Sequence, residues 1–259
     1  VADLIAAATF PEDELVRERD VLLQELAEEE DDPVSCAFRL YDAACWGDHP
    51  AAMPVIGTRA RLERLRRDDL LRYAQLHYRG GNVVVGAAGA FDEAAFIRAC
   101  EVAFGVLPAG KNDLVDLATY VGGVKTRVDT GSSQSHAVIG GPIAPRRGTS
   151  PLDEATAQLA AAVLGEGMSS PLLHELRERR ALAYQASASA DVFEMGGQLT
   201  IDASTSPERL DECLEATLHM LRAHAQHIDD AQSRQLRSGR RLVPVQCFEI
   251  VTHELLVKT

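Results

Sequence analysis

Residues 165–205 read GEGMSSPLLHELRERRALAYQASASADVFEMGGQLTIDAST, and the fold class turns on how they divide. The glycines of GEGMSS supply positive φ for a turn into a helix, SPLLHELRERRA, capped by Ser169 or Ser170. YQASASADVF and GQLTIDAST then alternate as strands and form a hairpin around Met195–Gly197. A helix running into antiparallel strands predicts an α+β layer. Within it, Arg177 falls inside the helix and Tyr184 opens the first strand. Taken alone, that pair reads as a surface cation near a core aromatic.

The flanking sequence extends the pattern. SPLDEATAQLAAAVLG reads as a helix capped by Ser150, SPERLDECLEATLHMLRAHAQ as one capped by Ser206, and a further helical segment fills the end. TRVDTG and SQSHAVIGGPI alternate like strands. Toward the N-terminus, Pro11 followed by Glu12, Asp13 and Glu14 starts a helix that DDP stops near Glu30. A second helix begins near Ser35 and carries Phe38, Leu40 and Tyr41; Trp46–Thr58 is an ordered loop. Two short helices follow in ARLERLRRDDLLRYAQLHY, then a buried strand NVVVGAAGA from Asn82 and an amphipathic helix from Phe91. Leu107–Val124 has weak periodicity and reads as a linker crossing the surface. The expectation is two α+β domains, each a mainly antiparallel sheet packed against helices and each incomplete. They span residues 1–107 and 125–259, with 108–124 between them.

The 259 residues are 46% hydrophobic and 25% charged, enough apolar material for packed cores. A formal net charge of −13 argues against nucleic-acid binding and anionic membranes. Five widely spaced cysteines with no C-x-x-C suggest buried thiols in a reducing compartment rather than a disulfide framework. No apolar run approaches a membrane span, and acids stand where a signal peptide would carry basic residues. A cytoplasmic protein without membrane insertion is expected.

Candidate chemistry begins in Val16–Pro33, VRERDVLLQELAEEEDDP. Seven helical residues turn through nearly two full revolutions, so Glu18 and Glu25 share a stripe with Glu14 and Glu29, beside Leu15, Leu22 and Leu26. Such carboxylates face either water or a cation. His219, His224 and His227 lie on one helix but lack a surrounding carboxylate–histidine constellation. His49 and His253 are isolated, and THELL lacks the second histidine of H-E-x-x-H. GEGMSS lacks a Walker lysine, and ASASAD lacks a serine-hydrolase elbow.

Four segments in order carry a resemblance: ERDVLLQELAEEEDDP, GDHPAAMPVIGT, NVVVGAAG and GEGMSSPLLHELRERRALAYQASASADVFEMGG. Together they resemble the pitrilysin/insulinase family, the inverted-motif zinc metallopeptidases that include mitochondrial processing peptidases and bacterial relatives. The resemblance implies a zinc metalloendopeptidase acting on peptides or unfolded segments enclosed between domains, in a homo- or hetero-dimer with a related subunit. It implies that Glu25 is the distal zinc ligand and that Glu18 supports the zinc site and assists turnover. Arg177 and Tyr184 then form the pair that binds substrate backbone and stabilises the oxyanion. No H-x-x-E-H occurs in the chain, so the other Zn²⁺ ligands are expected outside this segment, which alone is expected to be inactive. The alternative is a catalytically silent core or regulatory subunit of the same fold.

Overall fold

The computed structural model describes the backbone of residues 1–226 and side chains through residue 223. The expected helical segment at the C-terminal end lies outside the described residues, as do His227 and His253 and the side chain of His224. The described helices are α1 (Ala2–Ala6), α2 (Glu12–Asp31), α3 (Pro33–Trp46), α4 (Arg59–Arg64), α5 (Arg67–His77), α6 (Glu93–Phe104), α7 (Pro151–Gly165), α8 (Pro171–Leu173) and α9 (Leu210–Gln226). The described strands are β1 (Ser135–Ile143), β2 (Gln185–Val192) and β3 (Gly197–Thr205). Two compact units result: Val1–Glu28 with Val55–Val115, and Glu29–Pro54 with the chain from Asp116.

In the first unit, acids at Glu12, Asp13 and Glu14 occupy the first turn of α2, where they complement the exposed amide groups. Arg19 on α2 donates to the carbonyls of Leu62 (3.1 Å) and Leu65 (2.5 Å), satisfying the C-terminal end of α4. Arg67 donates to the carbonyls of Thr9 (2.8 Å) and Phe10 (2.7 Å). The buried hydrophobics of this unit are Leu15, Leu26 and Leu62. The strand expected from NVVVGAAGA is not formed; Val84 and Val85 are exposed, and no ladder partner stands beside them among the described residues. A β-branched run supplies strand propensity, but a strand persists only with a neighbour to hydrogen-bond. The sheet expected for the first domain is therefore not present among the described residues.

The second unit holds the antiparallel sheet, in the order β1–β3–β2. Its register runs from Ser135 opposite Thr205 to Ile143 opposite Gly197 on one side, and from Gln185 opposite Ser204 to Val192 opposite Gly197 on the other. The hairpin and the helix before it match the sequence expectation, and Ser170 is the cap, accepting from the Leu173 amide at 3.3 Å. Ser150 caps α7 by accepting from the Asp153 amide. Ser206 stands at the expected boundary but makes no side-chain cap bond. TRVDTG is not a strand, because Asp129 accepts from the Gly131 amide at 2.9 Å and folds the segment into a local turn.

One core in this unit joins Leu172, Leu173, Leu176, Leu182, Ala186, Ala188, Ile201, Ala203 and, from α9, Cys213 and Ala216. A second gathers Tyr41, Cys45 and Trp46 of α3 against Val138, Ala118 and Tyr120. Asp32 starts α3 by accepting from the Ser35 amide (2.8 Å), with Pro33 at the first helical position. The Tyr41 hydroxyl donates to the Leu199 carbonyl (2.7 Å), and Trp46 Nε1 donates to Gln198 Oε1 (2.9 Å). Gln198 Nε2 in turn donates to Asp42 Oδ1 at 3.0 Å. This packing places residues 29–54 with the second unit, whereas the sequence-based boundary grouped them with residues 1–107. The segment read as a linker is also fastened: the Ala118 amide donates to the Met195 carbonyl and the Val121 amide to the Cys45 carbonyl, both at 2.8 Å.

Glycine is required at position 140, where any Cβ would collide with the Leu199 carbonyl and the Tyr41 hydroxyl. Gly140→Ala is expected to lower stability by about 1–3 kcal/mol in urea melts; an unchanged midpoint would mean that α3 does not lie against β1. Burial pushes the Asp42 carboxyl above its ordinary value, opposed by the Gln198 bond and reinforced by Asp191. A raised folded-state value favours the protonated form, so this contribution is present below the unfolded value and lost as pH rises through the folded one. Asp42→Asn keeps an acceptor for Gln198 and cannot ionise. Its melting temperature should gain on the parent between about pH 4 and pH 7; a constant difference across that range would contradict the assignment.

Candidate functional site

The continuity of α2 keeps Glu18 and Glu25 two turns apart on one face, as the spacing predicts. Both are exposed, and neither has a hydrogen-bond or ion-pair partner among the described residues. Their neighbours differ: Arg17 pairs with Glu14 at 2.8 Å, and Gln24 donates to Glu28 at 3.2 Å.

Arg177 and Tyr184 lie in the other unit, at either end of one turn. Helix α8 widens into a π-helical segment, His174–Arg179. The widening lets the Leu176 carbonyl accept from the amides of Leu182 (2.7 Å) and Ala183 (3.3 Å), which brings the chain directly into β2. Leu182 and Ala183 are buried, and Tyr184 stands just before β2, out of step with the inward-facing Ala186 and Ala188, and is 78% exposed. Arg177 Nε donates to Glu178 Oε1 at 2.7 Å, and its Nη1 lies 3.8 Å from Met168 Sδ. Met168 itself is exposed in the glycine turn, where Gly167 takes φ +81°. An aromatic hydroxyl and a guanidinium beside a thioether suit a ligand that offers carbonyl acceptors and apolar side chains.

Supporting contacts surround the pair. Glu175 accepts from Arg179 and Arg180, each at 2.7 Å, and the Arg180 bond leads in holding its carboxyl below the usual range. The i,i+4 spacing of Glu175 and Arg179 is visible in the sequence, whereas the contacts of Arg180 with Glu175 and of Arg177 with Glu178 are not. A groove of about 430 Å³ lies between α7 (Gln158, Ala161, Gly165) and Ser187–Ala190 of β2, and extends to Glu166 and Gly167 of the glycine turn.

The zinc donor set is incomplete here. Among the described residues no group of three or more histidine, cysteine, aspartate or glutamate side chains could hold a metal ion. Glu25 alone offers one carboxylate. His219 is exposed on α9, and His49 Nδ1 accepts from the Ala51 amide at 3.1 Å, a structural role. His77, Arg79 and Asn82 converge on Asp113 at 2.7, 3.2 and 2.6 Å. That cluster, which no sequence motif marks, fastens Asp113, within the segment read as a linker, to the end of α5. Cys36, Cys45, Cys100 and Cys213 are free thiols. No described helix is long and apolar enough to cross a membrane.

Residues 64–239 match the family model described as the peptidase M16 inactive domain. An uncharacterized zinc protease of Rickettsia bellii is 27% identical over 244 residues, covering 93% of this chain and 58% of the relative. One from Mycobacterium tuberculosis is 30% identical over 230 residues, 87% of this chain and 52% of the relative. The chain thus spans little more than half the length of these relatives. Among solved structures, the peptidase M16 inactive domain from Pseudomonas fluorescens superposes with a TM-score of 0.82 at 20% identity, over 93% of this chain and 59% of that one. A protease from Helicobacter pylori gives 0.79 at 18%, over 92% and 58%. A chain of complex III2 from Candida albicans gives 0.75 at 18%, over 92% and 57%. The mixed helix–antiparallel-sheet fold agrees with these, and the resemblance read from the four sequence segments is borne out. The chain belongs to the peptidase M16 family, and most of it matches the part described as the inactive domain.

Proposed function

We propose that this chain forms the substrate-holding half of a zinc-dependent endopeptidase, in which Arg177 and Tyr184 bind the backbone of an extended peptide. The observation that carries this reading is the turn itself. One rigid connection, fixed by the Leu176 carbonyl, presents an anchored guanidinium and an exposed phenol at its two ends. Arg177 keeps Nη2 for a peptide carbonyl while Glu178 holds Nε. A phenolic donor and a guanidinium fork both strengthen their hydrogen bonds as negative charge grows on a carbonyl oxygen. Zinc, when bound, would supply Lewis-acid polarisation and an activated water. Glu25 would contribute one carboxylate to its ligands, with the remainder outside the described residues, and Glu18 would assist turnover from the same helix face. A peptide held between domains and a dimeric assembly with a related subunit belong to the same proposal. A division of the complete protein into two domains on either side of residues 108–124 is likewise proposed, with residues 29–54 packed in the second unit.

A silent subunit of the same fold is the competing reading, favoured by the match to a domain described as inactive. Such a subunit captures substrate or serves assembly, and needs no carboxylates poised for metal on α2.

In the complete protein, Tyr184→Phe is expected to lower peptide turnover by roughly a hundred- to thousandfold with zinc content and melting temperature unchanged. Arg177→Ala should weaken peptide binding as well. Unchanged turnover in both would return the pair to a structural role. Glu25→Gln should lose metal and activity together, because a neutral amide is a poorer zinc ligand, while Glu18→Gln should keep metal and lose turnover. Elemental analysis beside peptide hydrolysis checks both; loss of zinc from the Glu18 variant alone would reverse the two roles.

A further inference from the structure

We infer that Arg209 is a positioning residue for the Arg177–Tyr184 pair, acting on the backbone of the turn between them. Three successive carbonyls in that turn are held by side chains at and just beyond the C-terminal end of β3, which lies beside the start of β2. Arg209 Nη1 donates to the Ala181 carbonyl at 2.7 Å and Nη2 to the Arg180 carbonyl at 3.2 Å. The buried hydroxyl of Thr205, the last residue of β3, donates to the Leu182 carbonyl at 2.7 Å. Arg209 is steadied by Glu212 on the following helical turn, with Nε and Nη2 at 3.3 and 3.1 Å from Oε2.

The clamp falls where the chain needs it. Ala181 adopts φ +48°, in the left-handed region that a Cβ disfavours. A non-glycine residue stays there only when its surroundings over-determine it. Here the Ala181 amide donates to the Arg177 carbonyl at 3.1 Å, and the two amides that follow, of Leu182 and Ala183, donate to the Leu176 carbonyl. The carbonyl side is fixed by Arg209. Releasing that side lets residues 180–181 relax toward right-handed backbone and swings the start of β2, where Tyr184 stands. The planar fork of arginine spans two adjacent carbonyls; a lysine ammonium, as a point charge, cannot hold the same pair in fixed geometry. Arg209 is assigned no contact with substrate, so its influence runs through Tyr184.

The inference rests on the proposed peptide-contacting role of the pair, and the test separates the two. Peptide hydrolysis by the complete protein is measured for Arg209→Ala, Arg209→Lys, Tyr184→Phe, Arg177→Ala and the Arg209→Ala/Tyr184→Phe double variant, with hydrogen exchange at the amides of residues 182–184. Arg209→Ala and Arg209→Lys are expected to lower kcat/KM by roughly ten- to hundredfold, the scale of misplacing a substrate-contacting group, and to speed exchange at 182–184. The double variant should fall little below Tyr184→Phe alone, a non-additivity that a general loss of stability would not produce. Full additivity, or parental kcat/KM and exchange in both Arg209 variants, overturns the inference. Where Arg209→Ala does not fold, Arg209→Lys decides by the same readouts. If neither Tyr184→Phe nor Arg177→Ala alters turnover, the peptide-contact reading fails separately. Exchange then decides the clamp: faster exchange at 182–184 supports it and parental exchange overturns it.

Discussion

Strand β3 is the constraint on which the second unit depends. It pairs along both edges, with β1 and with β2, so its position fixes the register of the whole sheet. Its faces are divided chemically as well. Ile201 and Ala203 enter the core built with Leu172, Leu176 and α9, while Gln198 and the Leu199 carbonyl receive the polar groups of α3. A one-residue slip would exchange those faces, burying Asp202 and Ser204 where Ile201 and Ala203 now sit. The hydrogen bonds from Tyr41 and Trp46 therefore do more than attach a helix. They select one register among the alternatives that small residues such as Ala186, Ser187, Ala188 and Ser189 would otherwise tolerate.

The candidate site inherits its geometry from that strand. At the C-terminal end of β3, Thr205 and then Arg209 reach back to the turn between the π-helical segment and β2. At the other end of the turn, the Leu176 carbonyl takes two amides at once. The exposed phenol of Tyr184 and the tethered guanidinium of Arg177 are thus displayed by a backbone held from both sides. Preorganisation of this kind avoids an ordering cost when a ligand binds, which is where such a site gains over a flexible loop.

Much of this was legible in the sequence, for local reasons. Proline followed by acids marks α2, Ser150 and Ser170 mark their helices, and small-residue alternation marks the hairpin; each signal is carried within a few residues. Glu18 and Glu25 fall on one helix face because seven residues nearly close two turns. What was not legible depends on distant partners. NVVVGAAGA has strand composition but no neighbour among the described residues, and α3 belongs with the sheet through residues more than 150 positions away. The π-helical widening, the αL conformation of Ala181 and the Arg209 clamp leave no periodic trace. The zinc reading came from family resemblance, since two exposed glutamates by themselves specify only a solvated helix face.

The central claim is that Arg177 and Tyr184 touch bound peptide. Its most direct test is a titration of the complete protein with an unlabelled peptide substrate, followed by NMR of the arginine Nε–H groups and isotope-labelled tyrosine rings. The account predicts saturable shifts of the Tyr184 ring and the Arg177 Nε–H signal with a shared dissociation constant. Saturable peptide binding that leaves both signals in place would contradict it.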